Sequence, residues 1–275
     1  MDTTVVACCQ IAPVLGDLMG NRELTAAAVT QAVAAGASVI VLPELVSSGY
    51  VFESKAEARA HAEAPDGDTV QLWRRLGAAH GVVIVGGFCE AAGDAVYNSA
   101  ALVDGGTLLG VYRKAHLWDR ERLWFSPGDD PPAVADTRFG RVGVMICYDL
   151  EFPEWARLPA LDGAQLLCAP VNWPYSPRPE GERPVEFVRV QADAGVNRMF
   201  VAACDRAGTE RGVDWVSGSV IVDPDGWPLA CASPGDGPVT IMAECKLGDA
   251  LDKGVGGLSN IHADRRPGLY QRVAE

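Results

Sequence analysis

Short apolar runs rich in β-branched residues recur along this entire sequence, separated by helical patterns or tight turns and never by a linker. Residues 3–10 read as a first strand, and 21–35 as a helix in which Leu24, Ala28 and Ala32 fall at helical spacing. Residues 37–42 form a buried-strand run ending in Pro43-Glu44, followed by a helical pattern over 69–80 and another buried strand over 82–89. The runs 96–103 and 107–113 flank Asp104-Gly105-Gly106, a hairpin signal. Strand 141–146, helix 152–161, strand 165–170, helix 184–196 and strand 199–204 follow. A second hairpin joins 216–222 to 229–232 through Asp223-Pro224-Asp225-Gly226. Strand–helix–strand repeats interleaved with hairpins specify an α/β fold with mixed sheets, read here as one domain over residues 1–275. From about Lys246 the sequence is polar, Gly-rich and loop-like, suited to a surface or to a partner chain.

Eight cysteines narrow the chemistry: Cys8, Cys9, Cys89, Cys147, Cys168, Cys204, Cys231 and Cys245. No Cys-x-x-Cys occurs, and His61, His80, His116 and His262 do not stand at zinc-ligand spacing from a cysteine pair, so neither a metal centre nor a dithiol redox motif is expected. No basic segment precedes an apolar run at Met1, and no apolar run reaches about 18 residues. Neither export nor membrane insertion is therefore expected; reduced thiols and a cytoplasmic location are. A net charge of −13 repels phosphate backbones and argues against nucleic acid as a partner. No Gly-rich stretch completes a nucleotide-binding fingerprint, so no cofactor is expected; Gly-x-Ser-x-Gly and His-Glu-x-x-His are absent as well. The remaining question is whether one thiol is a nucleophile.

Cys147 follows the run Val142-Gly143-Val144-Met145-Ile146 and precedes a helix that opens near Pro153. A thiol at such a strand-to-helix turn sits beside free backbone N–H groups, which favour thiolate and can hold an oxyanion. The competing reading is a small buried hydrophobe, the commoner fate of a free cysteine. Glu44 closes the run 39–43, again at a strand end, where an apolar wall raises a carboxyl pKa toward general-base work; taken alone, an ordinary loop acid is the favoured reading. Lys114 ends a third run, 108–114. A lone lysine there is usually a solvated charge, but beside a carboxylate and a thiol it becomes the cation of an oxyanion site.

Together these segments carry a resemblance. Glu44 in Leu-Pro-Glu-Leu, Lys114 in Tyr-Arg-Lys-Ala-His-Leu and Cys147 in Ile-Cys-Tyr-Asp-Leu-Glu-Phe-Pro-Glu resemble the Glu-Lys-Cys triad of the nitrilase, or carbon–nitrogen hydrolase, superfamily in order and spacing. Tyr97-Asn98-Ser99, Phe125-Ser126-Pro127-Gly128-Asp129, Asp205-Arg206-Ala207-Gly208 and the stretch from Asp264 to Tyr270 resemble its secondary markers, so the likeness spans essentially the whole chain. The resemblance implies a four-layer αββα sandwich and a homodimer in which the tail from about Lys246 lies over the partner. It also implies a supporting glutamate four positions before Phe125, which is Glu121; flanking Arg120 and Arg122 leave open a salt-bridged loop acid. The implied chemistry is thiol amidohydrolysis through a thioester, with Glu44 as base and with Lys114 and the Tyr148 backbone N–H holding the oxyanion. His116 has no part in that chemistry and reads as a loop-ordering residue.

Cys147-Tyr148-Asp149 resembles the amidase branch rather than the Cys-Trp-Glu of nitrile-cleaving members, and the stretch 150–154 is similar to that of 5-aminovaleramide-type amidases. Glu151, with the net charge, favours a neutral or amine-bearing amide. Trp118, Asn172, Trp173 and Tyr175 follow strand ends and are candidates for the pocket wall, although each is equally a packing residue; Arg189 and Asn197 read as structural. An N-carbamoyl amine hydrolase, a nitrilase and a non-catalytic binding protein of this fold are the alternatives, in that order.

Overall fold

The computed structural model describes residues 3–270. Its first half runs β1 (Thr4–Gln10), α1 (Leu18–Ala34), β2 (Val39–Val41), α2 (Lys55–Ala60), α3 (Asp68–His80), β3 (Val83–Ala92), β4 (Ala95–Asp104) and β5 (Thr107–Arg113). The second half begins β6 (Val134–Thr137), β7 (Gly140–Val144), α4 (Pro153–Leu161), β8 (Leu166–Pro170), α5 (Val185–Asn197) and β9 (Phe200–Cys204). There follow a small pair, β10 (Thr209–Glu210) and β11 (Val213–Asp214), then β12 (Val220–Val222), β13 (Pro228–Cys231) and β14 (Val239–Cys245). A second small pair, β15 (Gly254–Gly256) and β16 (Ser259–Asn260), ends the series.

Two six-stranded mixed sheets result, in the orders β14-β1-β2-β3-β4-β5 and β13-β12-β9-β8-β7-β6. In each, three successive strands are parallel: β1, β2 and β3 in one, β7, β8 and β9 in the other. Their strands are short apolar runs because both faces are covered. Ala28, Val29 and Ala32 of α1, with Val70 and Trp73 of α3, pack on Ala7, Cys9, Ile40 and Ile84 of the first sheet. The opposite faces of those strands present Cys8, Val41 and Val85 to the second sheet, in a continuous core that also takes in Ala156 and Ala160 of α4 and Val190 and Ala194 of α5. The layers are therefore α, β, β and α, the sandwich that the resemblance implies.

Several elements depart from the sequence reading. The run 216–222 pairs only over Val220–Val222, because Ser217 takes a positive φ of 52° and the Gly218 N–H donates to the Asp205 carboxylate instead of a neighbouring strand. α2, β6 and β14 were not expected; β14 closes the first sheet by pairing along the full length of β1. Nor is the segment after Lys246 wholly a surface loop. Leu247 and Ala250 are buried in the chain's own core, and the Leu247 carbonyl accepts a bond of 2.9 Å from the Gln165 amide. The last five residues, on which the tail expectation also falls, lie outside the described residues. Among the described residues no helix is long and apolar enough to cross a membrane.

Candidate active site

The carboxyl ends of β2, β5, β7 and β8 meet at one edge of the sandwich, and each delivers one side chain. Pro43 and Glu44 continue past β2 close over β3, where the Gly87 N–H donates to the Pro43 carbonyl at 3.1 Å. A Cβ on Gly87 would stand 2.5 Å from the Leu45 nitrogen, so only glycine lets this crossing happen. After β5 the pairing with β4 extends one residue further, the Lys114 N–H donating to the Asn98 carbonyl at 2.8 Å. Lys114 and Asn98 thereby face the same space. Gly128 seals that end: its N–H reaches the Lys114 carbonyl at 2.9 Å, and a Cβ there would stand 2.3 Å from the Arg113 carbonyl oxygen.

Lys114 is fully buried, and its Nζ donates to Glu44 Oε1 at 2.8 Å and to Glu121 Oε1 at 2.9 Å. The Asn98 amide donates to the same two oxygens, at 2.7 and 3.2 Å. Glu121 is oriented by the Trp118 N–H, 2.9 Å from its other oxygen, and pairs with neither flanking arginine. The salt-bridged loop-acid reading thus falls. One ammonium between two carboxylates leaves a net negative charge out of water. Burial accordingly pushes the Glu44 carboxyl up to about 7; Lys114 opposes the rise and Glu121 adds to it. Burial alone would lower the Lys114 pKa, but Glu121 and Glu44 together outweigh burial and raise it. Glu44 Oε2 is buried with no partner, an acceptor held ready for a proton.

Cys147 opens a single 3₁₀ turn, Cys147–Glu151, with a left-handed φ of 47° that is strained for a residue with a side chain. α4 begins only at Pro153. The expectation of a ready thiolate beside a helix N-terminus is corrected here. Burial pushes the Cys147 thiol well above its ordinary value; the Glu44 carboxylate adds to this and Lys114 offsets only part. The resting group is a thiol whose Sγ donates to the Asn172 carbonyl at 3.7 Å. Asp149 fixes the turn, accepting from Tyr112 OH at 2.7 Å, the His116 N–H at 3.0 Å and the Ile146 N–H at 3.2 Å. The His116 ring stacks on Phe152 with centroids 3.8 Å apart, in the loop-ordering place expected for it. Asn172 joins the two sheets, its amide donating to the Glu44 carbonyl at 2.9 Å.

A cavity of about 180 Å³ opens over the thiol, walled by Tyr50, Trp118, Tyr148, Glu151, Asn172, Trp173, Pro174, Ser176 and Glu186. Tyr175 is not part of it. Its side chain is 54% exposed and its N–H is taken by the Asp214 carbonyl, while Pro174 and Ser176 on either side make the wall. Arg189, read as structural, reaches Glu151 at 3.2 Å. Sequence reasoning missed Tyr50, Glu186 and the role of Asn98. Only Asn98 carried a signal, as the middle of Tyr97-Asn98-Ser99.

The comparisons agree with this geometry. The carbon-nitrogen hydrolase family model matches residues 5–251. A nitrilase of Pyrococcus abyssi is 39% identical over 240 residues, covering 86% of this chain and 87% of its own. An N-carbamoylputrescine amidase of Solanum tuberosum is 34% identical over 253 residues, covering 86% of this chain and 83% of its own. Among solved structures, a variant of the amidase from Nesterenkonia sp. AN1, bearing acrylamide added at its active-site cysteine, superposes with a TM-score of 0.81 at 26% identity; the match covers 98% of this chain and 99% of that one. The chain belongs to the carbon–nitrogen hydrolase family. It is an enzyme, and its site is that of an amidase working through a cysteine.

Proposed function

We propose that this enzyme hydrolyses a small aliphatic amide to a carboxylic acid and ammonia, with Cys147 as nucleophile and Glu44, Lys114 and Glu121 as the groups that serve it. The observation that carries this reading is the buried Glu44–Lys114–Glu121 cluster, with one unpartnered carboxylate oxygen, at the strand ends that also hold the thiol. Glu44 Oε2 takes the thiol proton as Sγ bonds to the carbonyl carbon. Lys114 Nζ and the Tyr148 N–H hold the oxyanion. Glu44 passes the proton to nitrogen, the C–N bond breaks, and ammonia leaves behind a thioester. Water positioned by Glu121 then gives its proton to Glu44 and attacks the thioester; Sγ departs and regains the proton.

This sequence requires Glu44 ionised at the outset. Since its carboxyl stands at about 7, kcat/KM is expected to rise about tenfold per pH unit below 7 and to level off above it. A profile that stayed flat down to pH 5 would remove Glu44 as the base.

Glu151, which shares its charge with Arg189 at 3.2 Å, and Glu186 leave the cavity with an acidic end, so the acyl chain carries a cation such as a terminal amine. Ammonia release from 5-aminovaleramide and neutral pentanamide tests both the reaction and this preference. Glu151→Arg is expected to lower kcat/KM for the amine-bearing amide about tenfold relative to the neutral one, the equivalent of about 1.4 kcal/mol; an unchanged ratio would sink the preference. The same acidic end supports a second reading, an N-carbamoyl amine hydrolase, which carbon dioxide release from a carbamoyl amine would reveal. The enzyme is also proposed to work as a homodimer. The surface after Asp252 supports that reading: Val255 is 54% exposed, Leu258 wholly so and Leu269 64%, an apolar set suited to cover by a second copy.

A further inference from the structure

Beside the cavity over Cys147 lies a second one of about 320 Å³, and Tyr50, Trp118 and Pro174 belong to both walls. The two differ in chemistry. The first holds the nucleophile, Glu151 and Glu186, whereas the second is lined mainly by Phe52, Trp124, Val213 and Trp215, with Asp119, Arg120 and Glu121 confined to one wall. An apolar cavity of about 150 Å³ is enough to take up benzene, so the second has room for an aromatic ring and its linker. Its walls are set in advance: Arg206 stacks on Trp215 at 4.9 Å, and Tyr50 meets that ring edge-on at 5.5 Å. Trp124 and Trp215 each bury an indole N–H without a partner.

The reaction decides which part of a substrate each cavity receives. When the tetrahedral intermediate collapses, the acyl carbon stays on Cys147 while the nitrogen takes its proton from Glu44. Glu44 shares Lys114 and Asn98 with Glu121, and Glu121 lines the second cavity but not the first. The nitrogen therefore leaves toward the aromatic side, and the acyl chain lies toward the acidic side.

We infer that the enzyme also cleaves amides whose nitrogen carries an aryl or aralkyl group, which the second cavity takes up. The inference rests on the amidase reading above and extends it from ammonia to an aromatic amine as the departing group. The balance is that of the parent reaction. The S–C bond forms and the C–N bond breaks, the thiol proton passes through Glu44 to the departing amine, and water returns the acid and the thiol.

The test compares kcat/KM for 5-aminovaleramide and its N-methyl and N-benzyl derivatives, the N-methyl amide controlling for substitution at nitrogen. The N-benzyl amide is expected to exceed the N-methyl amide at least tenfold. Val213→Trp, which fills the cavity, is expected to reduce that ratio at least fivefold, and Val213→Phe serves if the tryptophan variant fails to fold. Benzylamine is expected to inhibit competitively, and more weakly in the filled variant. An N-benzyl rate at or below the N-methyl rate, or a ratio untouched in a folded Val213 variant, would overturn the inference. Turnover of the unsubstituted amide alone would overturn it while leaving the amidase reading intact. No turnover of any of the three would overturn both.

Discussion

Replacing Cys147 with alanine is expected to lower amide hydrolysis by about four orders of magnitude or more while moving the melting temperature by no more than a few degrees. The first half of that expectation follows from the chemistry. Cys147 supplies the one thiol in the cavity wall among the described residues, and removing the attacking atom of a concerted set costs nearly as much as removing the whole set. The second half follows from the packing. Cys147 makes a single long bond to the Asn172 carbonyl, and the exchange for alanine removes one sulfur atom from a residue that already faces a cavity. Intact-mass measurement on substrate-treated enzyme checks the point: an acyl adduct should appear on the wild type and never on the variant. A variant retaining more than a tenth of wild-type turnover would refute the assignment.

Lys114→Met should behave in the opposite way, losing activity and stability together. The side chain is fully buried and is the cation between Glu44 and Glu121, themselves 0% and 2% exposed. Taking it away leaves two carboxylates facing each other out of water, a loss of about 3–5 kcal/mol. For a chain of this size that corresponds to about 10 °C in melting temperature at neutral pH. The deficit has a pH sign. Lys114 holds the Glu44 carboxyl down, so without the ammonium that carboxyl rises further above its value in the unfolded chain. The variant therefore recovers stability as pH falls toward 5 and loses it as pH rises. Adding Glu121→Gln should restore part of the stability but none of the activity, because the oxyanion has still lost its cation. Thermal unfolding at pH 5 and pH 8 reads the first expectation. A deficit independent of pH would mean that Lys114 contributes packing and not charge.

Much of the candidate site was legible because the residues proposed to act there stand at strand ends, and strand ends are what apolar runs mark best. Glu44, Lys114 and Cys147 each stand at the end of such a run. What no run reveals is that the ends of β2 and β5 in one sheet meet those of β7 and β8 in the other, since pairing between runs depends on the whole topology. Asn98 illustrates the gap. It lies within a strand interior and faces Lys114 only because β4 and β5 pair one residue beyond the regular ladder. Glu186 sits at the start of α5, far along the chain, and nothing local distinguishes it from a solvated acid. Tyr175 departs from the expected wall for a related reason, because a loop aromatic flanked by two wall residues looks the same in sequence whichever way it points. The thiolate expectation failed on magnitude: burial next to Glu44 outweighs what the Lys114 charge offers the sulfur.

Asn172 binds the Glu44 carbonyl across the gap between the sheets, and Asp149 ties the Cys147 turn to the loop that follows Lys114. Glu44 and Lys114 thus belong to one half of the sandwich and Cys147 to the other, held together by these bonds. Heat cannot loosen one half and spare the reaction. Residual turnover in a heated sample is therefore a direct count of molecules whose two halves remain seated on each other.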